Sequence, residues 1–231
     1  MSDPISIFTN RIYNDWLPEF CNAPHRNYST DGFKADSIAK LSEFDAIWFL
    51  KAVDTGLVTE LNGFFTAPQS KAKEQIFWEG RKAIKPRPIT LWIEPIITIG
   101  ALARLNEEFG WSVDNLGTQS KTWAFDLVCY DNTFKKEHIV CEVKKHPKEI
   151  KDLLKFMHFH CSKNPEDKEP TNVKECNAYR KVQGIRRTWP GIFWALGPEG
   201  ESYVFHIQRE GTTQRFYLNI TDESALVYDN E

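Results

Sequence analysis

Two apolar, β-prone segments in the middle of the chain carry charged residues. Asp126 interrupts the segment TWAFDLVCY, and Glu142 and Lys144 lie two residues apart in HIVCEVKK. Because successive side chains of a strand point to opposite faces, Glu142 and Lys144 share one face while Cys141 and Val143 point to the other. Charged groups among apolar neighbours are costly unless they are paired or bind a ligand. The pattern therefore predicts two strands whose charged residues meet in one polar site.

A hard divalent cation would satisfy these charges. The carboxylates of Asp126 and Glu142 and the backbone carbonyl of Val143 are oxygen ligands of the kind that Mg²⁺ prefers, and Mn²⁺ is a close substitute. Lys144 beside them is placed to hold an attacking water and to balance negative charge that develops on a phosphate. We expect Mg²⁺ as the cofactor, with Asp126, Glu142 and Val143 as its ligands.

The composition limits the class of protein. A chain of 231 residues with 41% hydrophobic residues can form a substantial core, and a net charge of −3 excludes a uniformly basic protein that coats nucleic acid. The sequence has neither an apolar run long enough to cross a membrane nor the basic flank of a signal peptide. Five cysteines without a CxxC pair indicate a reducing compartment. We therefore expect a cytoplasmic protein with no membrane contact.

Residues 1–89 are predicted to form a mostly helical lobe with one β-hairpin. Ser42 begins a helix that runs to Gly56, and Asn62-Gly63 is a strong hairpin signal. A capping pattern at Thr66 predicts a second helix through Ala83. This order is compatible with a winged-helix-like lobe that reads DNA, and equally with a small packing subdomain.

Residues 90–231 alternate between helical and strand patterns. The first predicted elements are a helix over residues 93–110, a possible strand over 111–116 and the two charged strands. A helix from Pro147 and a short basic helix over 172–184 come next. The strands IFWALG, SYVFHIQRE and RFYLNI follow. The pattern predicts an α/β (α+β) core, with a mixed central β-sheet flanked by helices and the last strands at its C-terminal end.

The spacing of the charged residues resembles a known superfamily of nucleases. A helix that carries Glu94 near its start comes first. Asp126 follows it, and fifteen residues separate Asp126 from Glu142-Val143-Lys144. This arrangement, over about residues 90–208, is similar to the PD-(D/E)XK, or restriction-endonuclease-like, nucleases. The resemblance implies that Asp126 and Glu142 bind the metal, that Lys144 is the catalytic lysine and that Glu94 is the acid contributed by the helix.

Two positions depart from the pattern of that superfamily. Phe125 stands where the nominal motif has proline, and the helix from Pro147 lacks the Gln and Tyr of the exonuclease-like branch. The second departure argues against membership of that branch. If the register of the helix differs from this prediction, Glu107 or Glu108 would replace Glu94.

Basic residues are concentrated in three segments, residues 81–88, 144–155 and 174–187. Together these segments carry a charge of +11, although the whole chain is acidic. Such stretches either are solvated faces or form a surface that holds a phosphate backbone. Gln119 and Lys121 precede the Asp126 strand and would lie near a phosphate. The full set of predicted nucleic-acid contacts is Arg81, Lys82, Lys85, Arg87, Gln119, Lys121, Lys145, Arg180, Arg186 and Arg187.

The sequence thus favours a Mg²⁺-dependent endonuclease that hydrolyses DNA, with a role in restriction, anti-phage defence or DNA repair expected by analogy with the superfamily. Cutting both strands with one site per chain would require a homodimer or a partner protein. The alternative is a non-catalytic DNA-binding or protein-interaction subunit. In that protein Asp126, Glu142 and Lys144 would form a buried ion-pair network.

Overall fold

The structure, a computed structural model, describes residues 3–133, 135–165 and 168–228. The described residues form six α-helices, and a π-helical segment over Ile12–Trp16 joins the first two. The helices are α1 Pro4–Arg11, α2 Leu17–Asn22, α3 Glu43–Asp54, α4 Ile93–Glu107, α5 Pro147–Cys161 and α6 Val173–Thr188.

Strands in the described residues belong to three sheets. The first is β1 Thr59–Leu61, β2 Phe64–Thr66 and β3 Glu74–Gln75, and the second is β4 Phe77–Glu79 and β5 Ile89–Leu91. The third and largest contains β6 Leu116–Thr118, β7 Leu127–Tyr130, β8 Glu137–Val143, β9 Ile192–Leu196, β10 Ser202–Arg209 and β11 Phe216–Thr221.

The large sheet is mixed. Its strand order is β11-β10-β9-β8-β7-β6, in which β8 and β9 are parallel and the other neighbours are antiparallel. Parallel neighbours need a long crossover connection, which α5 and α6 supply here. The chain is therefore a mixed α/β protein with N-terminal helices, a six-stranded mixed sheet and flanking helices.

Each face of the large sheet is covered by its own apolar layer. Leu127, Cys141 and Val143 pack with residues of α1 to α4 in one continuous cluster. Val128 and Val140, which alternate with them along the strands, pack with α5 and α6 in a second cluster. Residues on both sides of position 90 contribute to the first cluster, so α4 and the N-terminal helices are packed on the same face of the sheet as one apolar layer.

Several local predictions are confirmed. The hydroxyl of Ser42 accepts a hydrogen bond from the backbone N–H of Asp45 at 3.0 Å and caps α3. Asn62 and Gly63 both have positive φ, 56° and 76°, as a tight hairpin turn requires. Gly110 follows the end of α4 with φ 76°. All five cysteines are free thiols. In the part of the chain that the structure describes, no helix is long and apolar enough to cross a membrane.

The predicted helix from Thr66 to Ala83 is wrong, and with it the helix-hairpin-helix order of a winged-helix lobe. The hydroxyl of Ser70 accepts a hydrogen bond from the N–H of Ala67 at 3.0 Å and closes a turn instead. The following residues form β3 and β4, which pair with β2 and β5. The apolar, β-prone run around Phe77 finds strand partners, and this long-range pairing outweighs the local capping signal. The strand expected over residues 111–116 begins later, at Leu116, after a turn of 3-10 helix.

Candidate active site

Asp126 lies where β7 begins, next to the end of β8. Its backbone N–H donates to the carbonyl of Cys141 at 3.0 Å, which continues the antiparallel pairing by one residue. Its carboxylate oxygen Oδ2 accepts a hydrogen bond from the N–H of Val143 at 2.9 Å. The two charged segments of the sequence therefore meet at one end of the β7–β8 hairpin.

Glu142 is the most deeply buried member of the site, with 2% of its surface exposed. Lys144 Nζ lies 2.5 Å from its Oε1, and Lys181 Nζ, from α6, lies 2.5 Å from its Oε2. Lys144 also donates to the carbonyl of Val143 at 2.9 Å. Two cations thus contact one carboxylate.

Glu94 is the helix-borne acid that the fold brings to this place. It lies in the first turn of α4, and its Oε1 accepts a hydrogen bond from the N–H of Lys145 at 3.3 Å. The indole N–H of Trp92 donates to its Oε2 at 3.3 Å. The alternatives Glu107 and Glu108 lie in ion pairs at the far end of the helix. Of these three acids, Glu94 is the one that lies against the end of β8.

Glu74, at the start of β3, is a fourth carboxylate of the site that the sequence did not reveal. Its side chain is hydrogen bonded to Gln119, and burial together with the negative charges of Asp126 and Glu94 raises its pKa to about 8. Gln119, with φ 61°, also donates its backbone N–H to the carbonyl of Asp126 at 2.8 Å. Glu74 was missed because the sequence placed it inside a helix.

Lys181 lies in the basic segment 174–187, which gave no sign of its role at the site, and its position depends on a close contact. A Cβ at Gly184, three residues further along α6, would lie 2.6 Å from the Cβ of Ala124 and 3.1 Å from the ring of Phe125. The missing side chain lets the helix approach the segment before β7. The ammonium group of Lys181 then donates to the carbonyl of Ala124 and reaches Glu142.

Burial and the neighbouring charges shift the pKa values of Asp126 and Glu142 in opposite directions. Burial and the neighbouring Glu142 raise the pKa of Asp126 to about 7, against the opposing effect of Lys181 and Lys144. Burial would also raise the pKa of Glu142, but Lys181 and Lys144 outweigh it and lower that pKa. The pKa of Lys144 is raised, because Glu142 and Asp126 outweigh its burial. Glu142 is therefore ionised at neutral pH, whereas Asp126 titrates near it.

The predicted nucleic-acid contacts fall into two groups. The first group has exposed side chains and consists of Arg81, Lys82, Lys85, Lys145, Arg180 and Arg187. Of these, Arg180 is paired with Glu169. The second group, Arg87 and Arg186, makes contacts within the protein. Arg87 pairs with Glu79 at 2.8 Å, and the buried Arg186 donates to the carbonyls of His160, Lys163 and Gln214.

Lys121 is directed away from the carboxylates. Its ammonium group donates to the carbonyl of Lys135 at 2.8 Å and lies 4.8 Å from the centre of the Tyr130 ring. These partners belong to the turn at the other end of the β7–β8 hairpin. Gln119, by contrast, contacts Glu74 within the site.

The oxygen atoms at the site are of the type that binds a hard cation, but few residues supply them. Within residues 3–133, 135–165 and 168–228, no group of three or more His, Cys, Asp or Glu side chains is arranged to hold a metal ion. The ligands predicted from the sequence are the carboxylates of Asp126 and Glu142 and the carbonyl of Val143. All are oxygens, as Mg²⁺ requires. Four carboxylates and two lysines meet here, and the raised pKa values of Glu74 and Asp126 mean that a divalent cation would favour the ionised form of these two acids.

Comparison of the chain with protein-family models, with curated proteins and with solved structures finds no match. The function is therefore inferred from the site itself.

Proposed function

We propose that this protein is a Mg²⁺-dependent endonuclease that hydrolyses DNA phosphodiester bonds, with a core of the PD-(D/E)XK type. One observation carries the proposal. Asp126 and Glu142 come together at the open end of an antiparallel hairpin, and the amine of Lys144 lies 2.5 Å from Glu142. Acids and a lysine at one strand end are the groups that phosphodiester hydrolysis needs.

The element order supports this type of core. The acid-bearing α4 precedes the antiparallel strands β6, β7 and β8, and α5 and α6 then lead to β9, which is parallel to β8. Glu94 accepts a hydrogen bond from the residue that follows Lys144, so the helix and the strand end are joined at the site. This agrees with the sequence resemblance.

Each residue has a distinct part in the proposed reaction. Asp126 and Glu142 would hold Mg²⁺ together with the Val143 carbonyl. The bound cation would neutralise charge on the phosphate and acidify a water molecule. Lys144 orients the attacking water and balances the charge that develops on the phosphate, while Lys181 keeps Glu142 ionised. Glu94 fixes the backbone of Lys145 through its hydrogen bond.

The test is a cleavage assay. Supercoiled plasmid, linear duplex, single-stranded DNA and RNA are incubated with Mg²⁺, Mn²⁺ or EDTA. Lys144→Ala and Asp126→Asn are compared with the parent and with Lys51→Ala, which removes an exposed lysine paired with Glu107 on α4. We expect metal-dependent cutting that falls about 10²-fold or more in the two site variants and is unchanged in the control. Linearisation of the circular plasmid would show the endonuclease mode.

A second readout does not depend on activity. A ligand that binds only the folded state raises the melting temperature. We expect Mg²⁺ to raise the melting temperature of the parent and of Lys51→Ala, but not that of Asp126→Asn.

One observation favours the alternative of a non-catalytic DNA-binding or interaction subunit. Glu142 is already contacted by both Lys144 and Lys181, as a structural ion-pair network would require. Cutting of no substrate with either metal, together with a melting temperature that Mg²⁺ leaves unchanged, would contradict the nuclease and support this alternative. Cutting that survives both site variants would contradict the residue assignment.

A further inference from the structure

A groove of about 430 Å³ opens beside Glu74 and Gln119, next to the carboxylates. Ligand sites for small organic groups have this size. Its walls combine the aromatic rings of Phe64, Trp78 and Trp92 with the ammonium group of Lys73, the amides of Gln75 and Gln119 and the carboxylates of Glu74 and Glu79. Glu79 is paired with Arg26 and Arg87. The proposed hydrolysis of a phosphodiester does not use these aromatic rings.

Two tryptophans form one wall of this groove. Trp78 lies on β4 and Trp92 follows β5, and their rings meet edge to face with centroids 5.3 Å apart and planes at 84°. The indole of Trp78 is nevertheless 57% exposed. The contact with Trp92 orients its ring, and more than half of the residue's surface is accessible to a planar group.

The groove is connected to the candidate active site by direct contacts. The indole N–H of Trp92 donates to Glu94 Oε2 at 3.3 Å. Gln119 is hydrogen bonded to Glu74, and its backbone donates to Asp126. A polymer whose phosphate lies at Asp126 and Glu142 would therefore place a neighbouring unit against the tryptophans.

The chemistry of the groove selects among the units that a nucleic acid offers. Aromatic side chains bind bases by stacking on their flat faces, and every base has such a face. In a duplex these faces are covered by the neighbouring base pairs, so a base can reach Trp78 only when it is unpaired. The exposed ammonium group of Lys73 at the rim can contact the backbone phosphate of the same strand.

We propose that this groove binds an unpaired base of single-stranded DNA beside the scissile phosphate, so that the substrate is single-stranded DNA or a duplex with an unpaired segment. This inference rests on the proposed nuclease function for the position of the phosphate. The stacking site itself can be tested without any cleavage.

The experiment measures binding by fluorescence anisotropy in EDTA, where no hydrolysis occurs. A labelled single strand and the same strand in a blunt duplex are titrated with the parent, Trp78→Ala and Trp78→Phe. Tyr217→Ala is the matched control, because it removes an exposed ring from β11, at the opposite edge of the sheet from β6. Circular dichroism checks that each variant is folded.

We expect the parent to bind the single strand more tightly than the duplex. Trp78→Ala should weaken single-strand binding about 10-fold, Trp78→Phe should largely restore it, and duplex binding should change little in either. Tyr217→Ala should bind as the parent does. Equal binding of strand and duplex by the parent, or single-strand binding that Trp78→Ala leaves unchanged, would overturn the inference.

The two proposals fail in different ways. Loss of single-strand binding in Trp78→Ala, with no cleavage of any substrate, would support the base-binding groove and refute the nuclease. Metal-dependent cutting that requires Lys144 but occurs on duplex and is unaffected in Trp78→Ala would support the nuclease and refute the groove.

Discussion

The ammonium nitrogen of Lys181 lies 2.5 Å from Oε2 of Glu142, although one residue belongs to α6 and the other to β8. Lys181 is itself buried. The crossover helix thus completes the charge balance of the strand end, and it links the packing of α6 to the chemistry of the site.

Removal of the Lys181 ammonium group should destabilise the protein. Lys181→Ala leaves Glu142 with one lysine instead of two, and loss of a partner from a buried ion pair costs about 3–5 kcal/mol. We expect a loss of this order in the free energy of unfolding, measured by urea denaturation at pH 7. The control is Lys174→Ala, on the same helix as Lys181, which breaks an exposed pair with Asp152 of α5 and should change stability little. Equal effects of the two variants would show that Lys181 does not support Glu142.

The raised pKa of Asp126 predicts an unusual dependence of stability on pH. Because this pKa is about 7 in the folded protein and near 4 in the unfolded chain, the folded state binds the proton more tightly. The contribution of Asp126 to stability is therefore favourable below pH 4 and is lost as the pH rises from about 4 to 7. Asp126→Asn removes this loss, so it should be more stable than the parent at pH 8 in EDTA.

Asp131 provides a control of opposite sign. Its pKa is lowered in spite of the opposing effect of burial, because Thr133 and the backbone of Lys135 and Lys136 donate hydrogen bonds to its carboxylate. Its contribution to stability is present at neutral pH and is lost on acidification, so Asp131→Asn should not gain stability at pH 8. Thermal unfolding of both variants between pH 4 and 8 makes the comparison. A parent and an Asp126→Asn variant with parallel pH profiles would contradict the assigned pKa.

The contact at Gly184 should be sensitive to a single methyl group. Gly184→Ala would place a Cβ 2.6 Å from the Cβ of Ala124, and neither group can rotate away. Such overpacking costs about 1–3 kcal/mol. We expect this loss in urea denaturation, together with weaker cleavage, because α6 moves and takes Lys181 with it.

Gly191→Ala is the matched control for this substitution. A Cβ there meets its nearest atom, on the ring of His138, at 3.6 Å, which is an ordinary contact. The stability of this variant should be close to that of the parent. If Gly184→Ala were equally well tolerated, α6 would not depend on the close approach.

The basic residues should separate into DNA contacts and structural residues. The exposed Arg81, Lys82 and Lys85 would contact phosphates, and each lost contact reduces the slope of log affinity against log salt by about 0.7 for single-stranded DNA and about 0.9 for duplex. Their combined alanine variant should bind DNA more weakly with a shallower salt slope and unchanged stability. Arg186→Ala should instead lower the melting temperature, because its buried guanidinium holds three backbone carbonyls. DNA binding by the parent that is insensitive to salt between about 50 and 200 mM would contradict the basic surface.

Much of the central sheet could be predicted from the sequence because its signals are local. Apolar, β-prone runs marked β7 and β8, and Gly110 marked the end of α4. The shared face of Glu142 and Lys144 follows from the two-residue period of a strand, and the structure shows their side chains in contact. The local signal was misleading between Thr66 and Ala83, where pairing with distant strands replaced a well-capped helix by β3 and β4.

The sequence by itself determined that Asp126, Glu142 and Lys144 lie in or directly beside strands among apolar neighbours, since spacing along a strand sets which side chains share a face. Only the tertiary structure decided what surrounds them. Glu74 comes from a segment 52 residues before Asp126, Lys181 from a later helix, and Trp78 with Trp92 from a separate small sheet. These residues carry no local pattern that relates them to the site. They meet there because the two apolar faces of the sheet must both be covered, and the elements that cover them bring their polar residues along.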